Sequence, residues 1–287
     1  MKLLAIETAT PAVSSALWED GAPVAGFSLV AGQRHAEVLM PAVDRLFRLA
    51  GWQVGDVDAV AVDNGPGLFT GLRVGLATAR AISAARDVPA VGVSSLDVLV
   101  HPLRRRPGPV AAVVDARRSE VFWALYRSDG ERLQRLRPPE VVTPSTLAGI
   151  LGALAGSDPA QGTLLAVGDG AWRYRDELVA AGAEVDGPAE MWPGAGAVAE
   201  LGWWHLREHG APVAPPRPVY LRQADVRIGW EEISGRVGAP AGPVGPVAPV
   251  GHVDPGAPVD PGAAGAAPAC RPPVGAGPAR SGASLGG

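Results

Sequence analysis

Residues 64–75 read Asn-Gly-Pro-Gly-Leu-Phe-Thr-Gly-Leu-Arg-Val-Gly. Four glycines and a proline stand between an apolar run, Ala59–Val62, and a run with helical spacing, Leu72–Arg86. Gly71 and Gly75 fall inside the helical pattern. A glycine in a helix interior costs about 1 kcal/mol relative to alanine, so two of them one turn apart require something to approach closely. A phosphate, a neighbouring backbone or another helix would each satisfy that need. The segment lacks the Gly-Lys-Ser/Thr ending of a P-loop and the spacing of the dinucleotide fingerprint. Phosphate binding is therefore the weaker choice.

Working outward, Leu3–Thr8 is an apolar strand, and Ser14–Trp18 and Val24–Leu29 are two more, joined through the turn Glu19-Asp20-Gly21. His35–Ala50 places Val38, Leu39, Ala42, Val43, Leu46, Leu49 and Ala50 at helical spacing. Gly51 stops that helix, and Pro41 is expected to kink it or to sit near its start. Val57–Val62 is a strand, Thr70–Arg86 a helix and Ala90–Val93 a strand. The order βββαβαβ gives a mixed sheet with helices against it.

A second copy of the pattern begins near Val110. Leu4-Ala5-Ile6-Glu7 leads, after a short gap, into Ala16-Leu17-Trp18. Val113-Val114-Asp115 leads likewise into Val121-Phe122-Trp123, and Asp129-Gly130 supplies the hairpin turn. An acid closes the first strand in each copy, the mark of an internal repeat. Thr143–Leu154, Trp172–Ala181 and Gly196–His209 read as helices and Leu164–Val167 as a strand. The expected domains are a first lobe over 1–105 and a second over 106–233, whose last helix is a candidate to pack back on the first. Residues 234–287 are mostly Gly, Pro and Ala without period, which reads as a disordered tail.

The 287 residues are 47% apolar and carry 25 basic against 29 acidic side chains, a net charge of −4. That balance disfavours a chain that grips nucleic acid by itself. Arg104-Arg105-Arg106, between His101-Pro102 and Pro107-Gly108, reads as a solvated linker. The single cysteine, Cys270, excludes an intrachain disulfide, and no apolar run approaches a membrane span. A soluble, cytoplasmic protein with no membrane contact is expected.

Glu7 and Asp115, each closing a strand, could face a metal-bound nucleotide or could bind turn amides. Asp169, in Gly168-Asp169-Gly170, carries the same ambiguity. His35 opens the first helix as a cap or packing residue. His205 and His209 share a helix face, but no third ligand is evident, so no metal site is expected. No Ser/His/Asp or Cys/His nucleophile set can be assembled, and no catalytic residue is assigned.

Several stretches then resemble one family. Leu3–Thr10 with Ser15–Trp18, Gly65–Gly75, Val91–Leu96, Val114–Arg117 and Pro218-Val219-Tyr220-Leu221-Arg222 are, in order along about residues 1–225, similar to TsaB (YeaZ) proteins. Leu68 departs from the pattern, which commonly has Ser there. The resemblance implies an α/β chain with the actin/Hsp70-like ATPase (ribonuclease H-like) fold in two duplicated βββαβα lobes. It also implies a dimerisation and activating subunit in forming N6-threonylcarbamoyladenosine at position 37 of tRNAs that read codons starting with A. The catalytic partner would be the paralogue TsaD, with the ATPase TsaE joining the complex. ATP and a metal would be used by those partners and no cofactor held by this chain. The paralogue carries metal-binding histidines as His-x-x-x-His just after its equivalent of Val93, where this chain has Ser95 and Leu99.

On that resemblance the partner surface is expected on the first two helices, with His35, Leu39, Val43, Leu46, Gly71, Leu72, Gly75, Leu76, Thr78, Ala79 and Ile82. Gly71 and Gly75 would make room for a helix of another chain, and a homodimer could use the same face. Gly75→Leu is then expected to block the partner and leave the fold intact. Glu7, Asp115, Gly168, Asp169 and Gly170 are the residues to watch for a nucleotide. Contact with tRNA would come only through the complex. The rival expectation is an ATP-binding enzyme of the same fold, a kinase, an ATPase or a glycoprotease-like protein.

Overall fold

The central strand β1 (Lys2–Glu7) is buried on both faces, because helices cover the sheet from both sides. A computed structural model of the chain describes residues 1–128, 133–155, 162–188 and 191–222. Around β1 lie β2 (Ala12–Glu19), β3 (Ala22–Val30), β4 (Ala59–Gly65) and β5 (Ala90–Ser94), in the order β3-β2-β1-β4-β5. β1 pairs antiparallel with β2, and parallel with β4 through Leu3–Ala59 to Ile6–Val62.

The second sheet repeats this plan. It holds β6 (Pro109–Arg117), β7 (Glu120–Ser128), β8 (Leu133–Val142), β9 (Leu165–Val167) and β10 (Glu184–Val185), in the order β10-β9-β6-β7-β8. In both sheets the first strand pairs antiparallel with the second and parallel with the fourth. Two lobes of this topology form the ribonuclease H-like, actin/Hsp70-like ATPase fold.

Two helices, α1 (His35–Ala50) and α2 (Phe69–Arg86), cover one face of the first sheet. Leu39, Val43, Leu46, Leu76 and Ala79 meet Leu4, Ile6, Val60 and Val62 there. The side chains alternating with these, Leu3, Ala5, Ala16, Ala59 and Ala61, form a face rich in alanine. Beyond the short helices α3 (Ser95–Val100), α4 (Pro144–Ala155), α5 (Asp169–Arg173) and α6 (Arg175–Ala180), the last helix α7 (Ala195–His209) lies against that face. The approach is close: a Cβ on Gly202 would stand 2.5 Å from Ala61 Cβ.

The lobes exchange cover. Leu96, Leu99 and Val100 of α3 pack on Val110, Ala112 and Val114 of the second sheet, whose other face is covered by α4 and α6 through Leu147, Leu151 and Leu178. A division of the sequence at residue 105 therefore does not separate the packing units. α3 precedes the boundary and covers the second sheet; α7 follows it and covers the first.

Elements missed from the sequence are β8, whose Arg-rich stretch holds two prolines, the two-residue β10, and α3. Residues 172–181 are helical in two pieces that meet at Tyr174. Pro41 sits inside α1, with exposed surface on its side of the helix. The Asp129-Gly130 turn and the 234–287 tail lie outside the described residues. No described helix is long and apolar enough to cross a membrane.

Candidate functional site

The glycines of the opening stretch face a backbone of the same chain. A Cβ on Gly71 would lie 2.0 Å from Thr8 O, one on Gly67 2.2 Å from Ala9 O, and one on Gly75 2.3 Å from Thr8 Oγ1. The turn leaving β1 is thus pressed against the start of α2. Thr8 Oγ1 donates to Gly71 O at 2.8 Å and the Leu68 N–H to Ala9 O at 2.6 Å. His35 Nε2 stands 2.7 Å from Thr10 O in the same packed corner.

This corrects the expected partner surface. His35, Leu39, Val43, Leu46, Gly71, Leu72, Gly75, Leu76, Ala79 and Ile82 are buried against the first sheet, and of the group only Thr78 is partly exposed. The periodicity identified the apolar face; the sheet of this chain, and not another chain, covers it. Gly75→Leu would drive a side chain into Thr8 and disturb the fold itself. The outward faces instead carry Met40, Asp44, Arg45 and Leu49 on α1, and Phe69, Arg73, Ala77, Ala81 and Ala84 on α2.

Four acids gather where the parallel strands of the two lobes end. Glu7 Oε1 accepts the Ala9 N–H at 2.7 Å, Asp63 Oδ1 accepts the Gly65 N–H at 2.8 Å, and Asp115 Oδ1 accepts the Arg117 N–H at 2.9 Å. Each carboxylate caps the amide two residues on. Asp63 Oδ1 also receives the Ser95 hydroxyl at 2.5 Å, and Asp169 Oδ1 takes the Asp115 N–H at 2.9 Å. Asp115 Oδ2 pairs with Arg117 at 3.1 Å and lies 3.7 Å from Arg173.

Burial dominates the electrostatics of this site. It lifts Glu7 well above the usual carboxylate range, helped by the charge of Asp63 and opposed by the Ala9 and Thr10 amides. It lifts Asp63 to about 7 against the hydrogen bonds from Ser95 and Gly65. It lifts Asp169 to about 6 against the Asp115 amide. Glu7 Oε2 and Asp63 Oδ2 are buried without a hydrogen-bond partner. Among the described residues no three His, Cys, Asp or Glu side chains converge into a group that could hold a metal ion.

Gly168 and Gly170, read as nucleotide candidates, have a local explanation. A Cβ on Gly168 would lie 2.3 Å from Val113 O, and one on Gly170 3.0 Å from Asp115 N. β6 presses on this turn as β1 presses on α2. Asp63 was missed, although it closes its apolar strand as Glu7 closes β1; the same pattern carried to the fourth strand points to it.

A cavity of about 720 Å³ lies apart from these acids, between α3, α7 and β8. Several of its polar groups already pair with one another. Asp97 takes Tyr126 Oη at 2.7 Å and Arg135 at 2.5 Å, and Glu200 takes His101 at 3.0 Å and Arg104 at 3.1 Å. Arg106 pairs with Glu184 at 3.3 Å, so Arg104 and Arg106 bind across the structure and are not a freely solvated linker. The His205 and His209 rings stack at 4.9 Å.

The family model of TsaD, tRNA N6-adenosine threonylcarbamoyltransferase, matches residues 29–168. The chain is 36% identical over 227 residues to an uncharacterized Mycobacterium tuberculosis protein, covering 78% of this chain and 93% of that one. A crystal structure described as an uncharacterized protein with similarity to peptidase YEAZ, from Pseudomonas aeruginosa, superimposes with a TM-score of 0.66 at 30% identity, covering 77% of this chain and 99% of that one. The chain belongs to the TsaB (YeaZ) family. The tRNA threonylcarbamoyladenosine biosynthesis protein TsaB of Escherichia coli is 37% identical over 150 residues, 50% of this chain. That match spans a little under two thirds of the E. coli protein, 64%.

Within this TsaB-family chain, α3 holds Ser95 and Leu99, the positions where the resemblance implies histidines in the paralogue. Ser95 is fully buried and spends its hydroxyl on Asp63. Leu99 is buried in the core of the second lobe and lies close to Gly168. One side chain is short and the other is a hydrocarbon, so neither offers an imidazole nitrogen to a metal.

Proposed function

We propose that this chain acts in tRNA N6-threonylcarbamoyladenosine biosynthesis as the non-catalytic subunit that binds and activates its catalytic paralogue TsaD. The observation that carries this reading is Ser95 and Leu99 at the two positions where the paralogue is implied to hold its metal. The buried acids support it: three of the four bind turn amides of their own chain. ATP and metal are then used by the partner subunits, TsaE among them, and tRNA is met through the complex in the cytoplasm.

The contact surface we assign is the outward face of α1 and α2. Ala77 and Ala81 are exposed on α2, and Met40 and Leu49 are exposed on α1. Small exposed side chains let a partner helix come near, and Met is adaptable at contact surfaces. A homodimer on the same face is the alternative occupant when TsaD is absent.

Co-purification with TsaD and reconstitution of the modified nucleoside, with and without this chain, test the reading. Ala77→Arg should leave stability within about 0.5 kcal/mol. If Ala77 lies at the centre of the contact, the variant should weaken TsaD binding by 2 kcal/mol or more, roughly 30-fold. Undiminished binding would remove α2 from the interface. Full modification without the chain would remove the activating role. Tight Mg-ATP binding and turnover by the isolated chain, lost in Glu7→Ala, would favour the enzyme.

A further inference from the structure

Beyond α7 the chain returns across both lobes. Residues 216–222, Pro-Arg-Pro-Val-Tyr-Leu-Arg, form neither helix nor strand, yet they are tied at each end. On the first lobe, Arg80 donates to Pro216 O through Nε at 3.0 Å and Nη2 at 2.5 Å. Asn64 Nδ2 donates to Arg217 O at 3.2 Å, and the Val219 N–H donates to Asn64 O at 2.8 Å. The Tyr220 ring lies 5.4 Å from that of Phe69. On the second lobe, Leu221 packs against the core. Arg222 donates to Ala116 O at 3.2 Å and Arg117 O at 3.5 Å, and pairs with Glu120.

The anchor points directly follow acids at the strand ends of the two lobes. Asn64 follows Asp63; Ala116 and Arg117 follow Asp115. We propose that residues 216–222 are an interlobe latch, which holds the two acid-bearing loops at one separation and keeps the cleft shut and dry. Its own stiffness suits this. Pro216 and Pro218 have fixed φ and remove slack from the segment. The turn it catches is also stiff: Arg117, Arg118 and Ser119 have φ of 63°, 53° and 58°, a left-handed run that non-glycine residues adopt only at a cost. With the latch in place Glu7 and Asp63 are fully buried. Opening the lobes would break the Arg222 contacts and admit water to both carboxyls.

The test is amide hydrogen exchange on the full chain at one pH, comparing wild type with Arg222→Ala and Glu120→Gln. Exchange should quicken roughly tenfold, about 1.4 kcal/mol, at Arg117 and Asp115 and also at Ala9, Gly65 and Leu68 on the other lobe. Amides of α4 should not change. The double exchange Glu120→Arg with Arg222→Glu should restore much of the protection. Faster exchange confined to residues 116–122 would show only a local contact and overturn the latch, as would no change at all. Faster exchange extending to α4 would signal general destabilisation and equally overturn it.

Discussion

Gly71→Ala places a methyl group where Thr8 O stands 2.0 Å away, against the 3.4 Å at which ordinary contact begins. Three terms decide the outcome. Alanine gains about 1 kcal/mol over glycine in a helix interior. Displacing the β1 turn forfeits the bond from Thr8 Oγ1 to Gly71 O, worth about 1 kcal/mol. Forcing the extra carbon into a filled site costs about 1–3 kcal/mol. The net is a loss of about 2 kcal/mol, or a Tm lower by roughly 4–8 °C for a folded unit of this size. Gly149→Ala in α4 is the control, because a Cβ there meets nothing within 4 Å. It should stabilise by about 0.5–1 kcal/mol through propensity alone. Scanning calorimetry or urea unfolding reads both. If Gly71→Ala raises Tm as Gly149→Ala does, the close approach of β1 to α2 is not the reason for glycine at 71.

Two further outcomes follow from the cleft and its rim. Asp63 and Asp169, lifted to about 7 and about 6, hold protons in the folded chain that the unfolded chain releases near pH 4. The folded state binds more protons between about pH 4 and 7, so this contribution lowers stability as pH rises through that window and levels off above it. Asp63→Asn should therefore stabilise by on the order of 2–4 kcal/mol at pH 8 and flatten the slope between about pH 5 and 7 in urea unfolding; an unchanged slope would refute the assignment. Leu68 occupies the N-cap of α2 with φ −65° and ψ 120° and makes no side-chain cap. Leu68→Ser introduces the residue that the resemblance leads one to expect there and should add about 1 kcal/mol by capping an amide of the first turn, a gain that chemical denaturation would reveal or deny.

The elements were legible because their signals are local. The apolar run at Leu3–Ile6 and the helical spacing of Leu39, Val43 and Leu46 each lie within a few residues. Both strand-closing acids, Glu7 and Asp115, were visible for the same reason. β8 was not, because an exposed edge strand with charges and prolines carries no burial pattern. Asp63 carries a weaker local signal beside its glycines, although its burial and its bond from Ser95 tie it into the group of buried acids.

The sequence alone determined the family, the duplicated order of strands and helices, the need for close approach at Gly71 and Gly75, and the absence of imidazole at 95 and 99. Only the tertiary structure decided what makes the approach. Periodicity says which face of a helix is apolar but not what covers it, and the cover here is β1, more than sixty residues earlier in the chain. The same distance hides the 216–222 crossing, whose contacts with Asn64 and Arg117 join residues over a hundred positions apart. Such pairings depend on how the lobes fold together, and no local pattern of side chains encodes them.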